Sequence, residues 1–276
     1  MSVVVVTGGT RGVGTGIARA FLRDGAEVVI CGRNPPERPL AEAGRRARYL
    51  PLDVRDPAAA EEFVHRVARD HGSLDVLVNN AGGTPYRPLA EGEPHRHARV
   101  VELNLLAPLH LSRAARPVMR QQPGGGVILM IGSVSGTRPS PGTAAYGAAK
   151  AGLASLAGSM AVEWAGDGIR VNTLVLGMVA TERLRDHFGG GDGLGPALDR
   201  TVPLGRPAEP GEVGEACVFL ASPGAAYITG ASLAVHGGGE RLALHDVTAR
   251  ESTPAPAPAP APGPDPGPGP DRGQNL

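Results

Sequence analysis

Val3-Val4-Val5-Val6-Thr7-Gly8-Gly9-Thr10-Arg11-Gly12-Val13-Gly14 runs from a block of β-branched residues into a glycine-built turn. A short apolar run without polar alternation suits a strand covered on both faces. Glycines at 8, 12 and 14 open backbone conformations that side-chain-bearing residues avoid. They also allow backbone N–H groups and a helix N-terminus to come close to a pyrophosphate. The spacing is glycine, three residues, glycine, one residue, glycine, which differs from G-x-G-x-x-G. Alone, the turn says strand, tight turn, helix.

The rest of the chain repeats that theme. Apolar runs at Glu27–Cys31, Arg48–Leu52, Leu74–Asn79, Gly126–Ser133, Ile169–Leu176 and Ser232–His236 alternate with helix-like stretches. The stretches are Gly12–Asp24, Pro57–Gly72, Pro94–Gln122, Thr143–Gly166 and Pro210–Ala221, with Pro57 and Pro210 placed where a first helical turn tolerates proline. This alternation predicts an α/β protein: a Rossmann-type doubly wound parallel sheet of about seven strands, helices on both faces, ligands at the carboxyl ends of the strands. Three prolines in Asn34–Ala47 limit any helix there to a short one. The segment Met178–Arg206, with Gly189-Gly190-Gly191, reads as a mobile lid, a disordered segment being the alternative. Residues 1–248 form the expected catalytic domain. The repeating Pro/Ala and Gly/Pro composition of 249–276 predicts a disordered tail.

Bulk properties exclude other classes. With 27 basic against 27 acidic residues, no charge excess points to nucleic acid or an anionic membrane. No apolar stretch reaches the ~18–20 residues that span a bilayer, and the opening residues carry no signal-peptide pattern. A cytoplasmic enzyme is expected. The two cysteines, Cys31 and Cys217, offer neither a disulfide framework nor metal-ligand spacing, and both are expected as buried thiols.

Two places carry the chemistry. At the end of the second strand, Ile30-Cys31-Gly32-Arg33 lacks the acidic residue that accepts from ribose hydroxyls in NAD-preferring proteins. Arg33 and Arg11 can instead clamp a 2′-phosphate, so NADP(H) is expected over NAD(H), which stays open as an alternative. Asp53-Val54 after the third strand and Asn79-Asn80-Ala81-Gly82 after the fourth complete the cofactor side, an Asx-type turn being the plainer account of either. The second place is Tyr146-Gly147-Ala148-Ala149-Lys150, where helical spacing stacks a phenol and an ammonium on one face. A free tyrosine ionises near ~10, and a fixed neighbouring cation favours the phenolate.

With Ser133 upstream, these motifs in this order resemble the short-chain dehydrogenase/reductase family in its single-domain form, from Val3 to about Gly239. The resemblance implies Tyr146 as acid/base, Lys150 as the lysine that binds the nicotinamide ribose and lowers the tyrosine's pKa, and Ser133 as the donor to the reacting oxygen. Asn104 matches the asparagine of a water-linked proton relay. Hydride passes directly between nicotinamide and substrate carbon, with no metal. Cofactor contacts are implied for Gly8, Thr10, Arg11, Gly12, Val13, Gly14, Arg33, Asp53, Val54, Asn80, Ala81, Gly82, Tyr146, Lys150, Gly177, Val179 and Thr181. Asn172 reads as structural. The family's usual Pro-Gly after the sixth strand is Leu176-Gly177 here, which bears on the substrate loop.

The function expected is interconversion of a secondary alcohol and a ketone with NADP(H). The substrate is a small carbonyl or alcohol: a β-ketoacyl thioester or a hydrophobic ring compound such as a steroid, terpenoid or polyketide intermediate. Alternatives are an NAD-dependent dehydrogenase of such a ring alcohol and a catalytically silent nucleotide-binding regulator. A homotetramer, or otherwise a homodimer, is implied by resemblance.

Overall fold

The computed structural model describes residues 1–91, 93–182, 184 and 201–239. The core of the expected lid, the domain boundary at 248 and the tail from 249 lie outside the described residues.

The four valines that open the chain explain the architecture. Strand β1 (Val3–Thr7) turns Val3 and Val5 into one apolar cluster and Val4 and Val6 into the other. Both faces of the strand are therefore dry, as the unbroken apolar run requires. The first cluster is closed by α2 (Pro57–His71), α4 (Ala107–Met119) and α5 (Ala144–Trp164), through Phe63, Leu111, Met119, Leu153 and Trp164. The second is closed by α1 (Gly12–Arg23) and α6 (Pro210–Ala221), through Ile17, Phe21, Val213 and Leu220.

The remaining strands are β2 (Glu27–Gly32), β3 (Ala41–Glu42), β4 (Arg45–Arg46), β5 (Arg48–Pro51), β6 (Val76–Asn79), β7 (Gly126–Ser133), β8 (Ile169–Leu176) and β9 (Ser232–Val235). The main sheet has seven strands in the order β5-β2-β1-β6-β7-β8-β9, and every pairing is parallel. The order reverses at β1/β6, so the loops after those strands diverge to opposite sides and leave a crevice at their carboxyl ends. Register along β7/β8 runs from Gly126↔Ile169 to Ser133↔Leu176. Cys31 and Cys217 are buried and free, and burial pushes the Cys31 thiol up to about 12.

Helix ends follow local chemistry. Asp56 caps α2 by accepting from the N–H groups of Ala58 and Ala59, and Pro57 occupies its first turn. Two segments depart from expectation. Asn34–Ala47 holds no helix; β3 and β4 form a hairpin whose turn, Ala43 (φ 48°) and Gly44 (φ 73°), has both central residues left-handed. The stretch Pro94–Gln122 is not one helix. It divides into α3 (Pro94–Val101), a π-helical turn over Glu102–Leu106, and α4. Pro108 has no N–H to offer the carbonyl of Asn104, four residues back, so the regular hydrogen-bond ladder is interrupted there.

Helices α1 and α6 meet through glycine. A Cβ on Gly16 would lie 2.3 Å from the Pro210 carbonyl carbon, and one on Gly214 2.7 Å from the Gly16 oxygen. Gly16→Ala is therefore expected to cost about 1–3 kcal/mol by overpacking. An unchanged urea-unfolding midpoint would contradict this close approach.

Candidate active site

The crevice is built on one buried hydroxyl. Thr7, the last residue of β1, donates to the Val78 carbonyl (3.3 Å) and accepts from the N–H groups of Asn80 and Ala81, both at 2.9 Å. Asn80 returns the tie, its side-chain amide donating to the carbonyls of Thr7 (2.8 Å) and Gly8 (3.2 Å). The loops after β1 and β6 are thus fastened together. Asn80, placed on the cofactor side by the sequence, spends its amide nitrogen on the glycine turn.

That turn has no room for side chains on its inner side. A Cβ on Gly14 would sit 2.2 Å from the Gly8 oxygen, and Gly8 itself has φ 63° with Ala81 Cα 2.9 Å from its would-be Cβ. Helix α1 has no side-chain cap at Arg11, so the N–H groups of its first turn are left for an external acceptor. Gly12 (φ 55°) faces Thr181, whose methyl lies 3.4 Å from its would-be Cβ. A bare helix N-terminus facing a cleft walled by Thr181 fits the pyrophosphate of a dinucleotide.

At the adenosine end, Gly32 lies against Thr10, with the Thr10 Oγ1 and Cγ2 atoms 3.3 Å from a would-be Cβ. An acidic side chain at position 32 would press on Thr10. Among the described residues Arg11 and Arg33 form no ion pair, and both are exposed. Asp53 is engaged: the Arg55 guanidinium donates to both carboxylate oxygens (3.0 and 2.6 Å), and the Arg55 backbone N–H donates at 3.1 Å. Arg55, then Arg33 through space, hold the Asp53 carboxyl down to about 2. Val54 beside it is buried. Arg55 escaped the sequence reading, although its position two residues after an aspartate suited an Asx turn.

The chemical end gathers Ser133, Tyr146, Lys150 and Asn104. Ser133 ends β7, and its Oγ accepts from the Ser135 N–H (3.2 Å), which leaves its own proton to donate. Tyr146 stands half-buried in the first turn of α5. One turn on, Lys150 is only 4% exposed. Its Nζ donates to the Ile131 carbonyl at 2.7 Å and lies 5.6 Å from the centroid of the Tyr146 ring. Burial lowers the ammonium's pKa to about 8. Asn104 sits buried in the π-helical turn, its Oδ1 accepting from the Gly83 N–H (2.9 Å) and its Nδ2 donating to the carbonyls of Gly83 and Val100. A Cβ on Gly82 would meet Asn104 Oδ1 at 2.7 Å and Lys150 Nζ at 3.5 Å, so these three residues converge.

The far wall is formed after β8. Gly177 donates to the Val235 carbonyl and rests on His236, which lies past the end of β9 rather than within it. Val179 bridges to Ala208 in parallel, and Thr181 accepts from the Leu184 N–H through its Oγ1. Leu176 in place of proline completes β8, paired to Ser133 on one side and Val235 on the other. Asn172 braces β9's approach by bonds to Ile228 and Ala231, as expected of a structural residue.

Comparison with known proteins agrees with this geometry. The profile of the family described as Enoyl-(Acyl carrier protein) reductase matches residues 8–240. Cis-4-hydroxycyclohexanecarboxylate dehydrogenase of Sinomonas cyclohexanicum is 38% identical over 245 residues, covering 86% of this chain and 95% of the relative. The 3-oxoacyl-(acyl-carrier-protein) reductase FabG of Escherichia coli (strain K12) is 36% identical over 238 residues, covering 86% and 96%. A crystal structure described as a short-chain alcohol dehydrogenase from Sinorhizobium meliloti 1021 superposes with TM-score 0.79 at 32% identity, over 86% of this chain and 95% of that one. The chain belongs to the short-chain dehydrogenase/reductase family of oxidoreductases, whose cofactor is a nicotinamide dinucleotide.

The buried ammonium has a measurable consequence. Lys150 has a pKa of about 8 when folded against 10.5 when free. The cost of burying its charge is therefore fully present below pH 8 and is relieved as pH rises toward 10.5. Across that window wild type should gain on the order of 3 kcal/mol relative to Lys150→Met. Urea unfolding of both proteins at stepped pH measures the difference; a difference independent of pH would refute the burial argument.

Proposed function

We propose that the protein interconverts a secondary alcohol and a ketone with a preference for NADP(H), Tyr146 being the proton donor and acceptor. The observation that carries this reading is the Lys150 ammonium held beneath the Tyr146 ring. A cation fixed there favours the phenolate and brings the phenol toward a proton-transfer role at working pH. Ser133, with its proton unspent, donates to the same reacting oxygen. Asn104, its side chain fixed by Gly83 and Val100, is placed to hold a relay water between Lys150 and solvent. The bound nicotinamide supplies or accepts the hydride. Placement and proton supply are the protein's share.

Preference for NADP(H) rests on two exposed guanidiniums, Arg11 and Arg33, beside a strand end that carries no acid. A second reading, an NAD-dependent dehydrogenase of a hydrophobic ring alcohol, is favoured by the 38% identity to an enzyme named for a hydroxycyclohexane substrate. The substrate is accordingly a small carbonyl or alcohol compound, cyclic or acyl. Among the described residues no helix is long and apolar enough to cross a membrane. Large apolar side chains are exposed at Leu106, Val162, Phe219, Tyr227 and Leu233, among others. Exposed apolar surface of this kind supports a homotetramer, or otherwise a homodimer, working in the cytoplasm.

Tyr146→Phe should lower kcat about 10²–10⁴-fold while NADPH still binds; fluorescence titration and turnover on a ketone panel read both, and near-normal turnover refutes the assignment. Arg33→Ala should weaken NADPH more than NADH in the same titration. Equal loss of both would count against the phosphate clamp.

A further inference from the structure

Strands β2 and β5 end side by side, with Gly32 paired to Pro51 and the Leu52 N–H bonded to the Gly32 carbonyl at 3.1 Å. Arg33 and Asp53 are the next residues out along each path. A carboxylate is thereby placed beside the very guanidinium that the NADP(H) reading assigns to a 2′-phosphate. Left alone, it would compete for Arg33 and repel a dianion. Arg55 folds back over it, its fork meeting both oxygens, with the two side chains 31% and 38% exposed.

We propose that Arg55 is a positioning residue for cofactor discrimination: by holding and neutralising Asp53, it leaves the Arg33 charge free for the 2′-phosphate of NADP(H). The inference rests on the NADP(H) preference and deepens it. Three charges sit together, Arg33, Asp53 and Arg55, and their sum is positive. Asp53, held down to about 2, stays ionised throughout the working pH range, so neutralisation has to come from a partner and not from a proton. Glu102 also lies within electrostatic reach of Arg55, but no bond joins them among the described residues; the hydrogen-bonded partner is Asp53. Because the group is partly sheltered, its fields are screened less than those of fully solvated ions. A bidentate guanidinium does this better than an ammonium would.

The test is fluorescence titration of the full chain with NADPH and NADH, for wild type, Arg55→Ala, Asp53→Asn and the double variant, each read as the ratio of the two dissociation constants. Arg55→Ala should cut the NADPH preference about tenfold. Adding Asp53→Asn should restore most of it, because the uncovered carboxylate is gone. A merely structural ion pair would show no such rescue, since the double variant lacks the pair entirely. Equal weakening of both cofactors by Arg55→Ala, or a double variant no better than the single, overturns the proposal. A wild type that binds NADH more tightly removes the NADP(H) reading and the proposal with it; a wild type that prefers NADPH without rescue removes the proposal alone.

Discussion

One hydrogen bond, from the Lys150 ammonium to the Ile131 carbonyl, sets the chemical end of the molecule. Ile131 lies two residues before Ser133 on β7, and Lys150 one helical turn after Tyr146 on α5. A single contact therefore fixes the strand that carries the serine against the helix that carries the tyrosine. A charged nitrogen taken out of water is costly unless it is hydrogen-bonded, and the carbonyl only partly offsets this, as the depressed pKa records. The sheet supplies the rest, holding β7 between β6 and β8 so that the carbonyl cannot turn away.

The two ends of the crevice use charge in opposite ways. At the chemical end a single cation is buried, where its field acts strongly on one neighbouring phenol. At the adenosine end cations are exposed or half-exposed, where they attract a phosphate at little desolvation cost. Between them lies the glycine-rich turn from Gly8 to Gly14, in which backbone N–H groups and a helix dipole take over. Glycine there follows from geometry: at Gly14 a single extra carbon would overlap the Gly8 carbonyl.

Much of the fold was legible because it is local. β1, β7 and β8 begin and end where their β-branched runs do, since turn-forming residues bound them on both sides. Pro57 and Pro210 marked helix starts because a first turn needs no N–H from them. The hairpin at Ala41–Arg46 was hidden by the prolines before it, which spoke against a helix without announcing a strand. The π-helical turn was hidden for the converse reason: Pro94–Gln122 has helical periodicity throughout, and the extra residue that swings Asn104 inward leaves that pattern almost unchanged.

The sequence by itself determined the doubly wound sheet, the glycine turn and the spacing of Tyr146 and Lys150, because alternation, steric room and helical repeat are properties of neighbouring residues. Only the tertiary structure decided which polar groups find each other. Thr7 meets Asn80 across 73 positions, and Arg33 comes within electrostatic reach of Asp53 from the neighbouring strand. A hydrogen bond or an ion pair depends on distance through space, which the chain settles only once its apolar faces have closed.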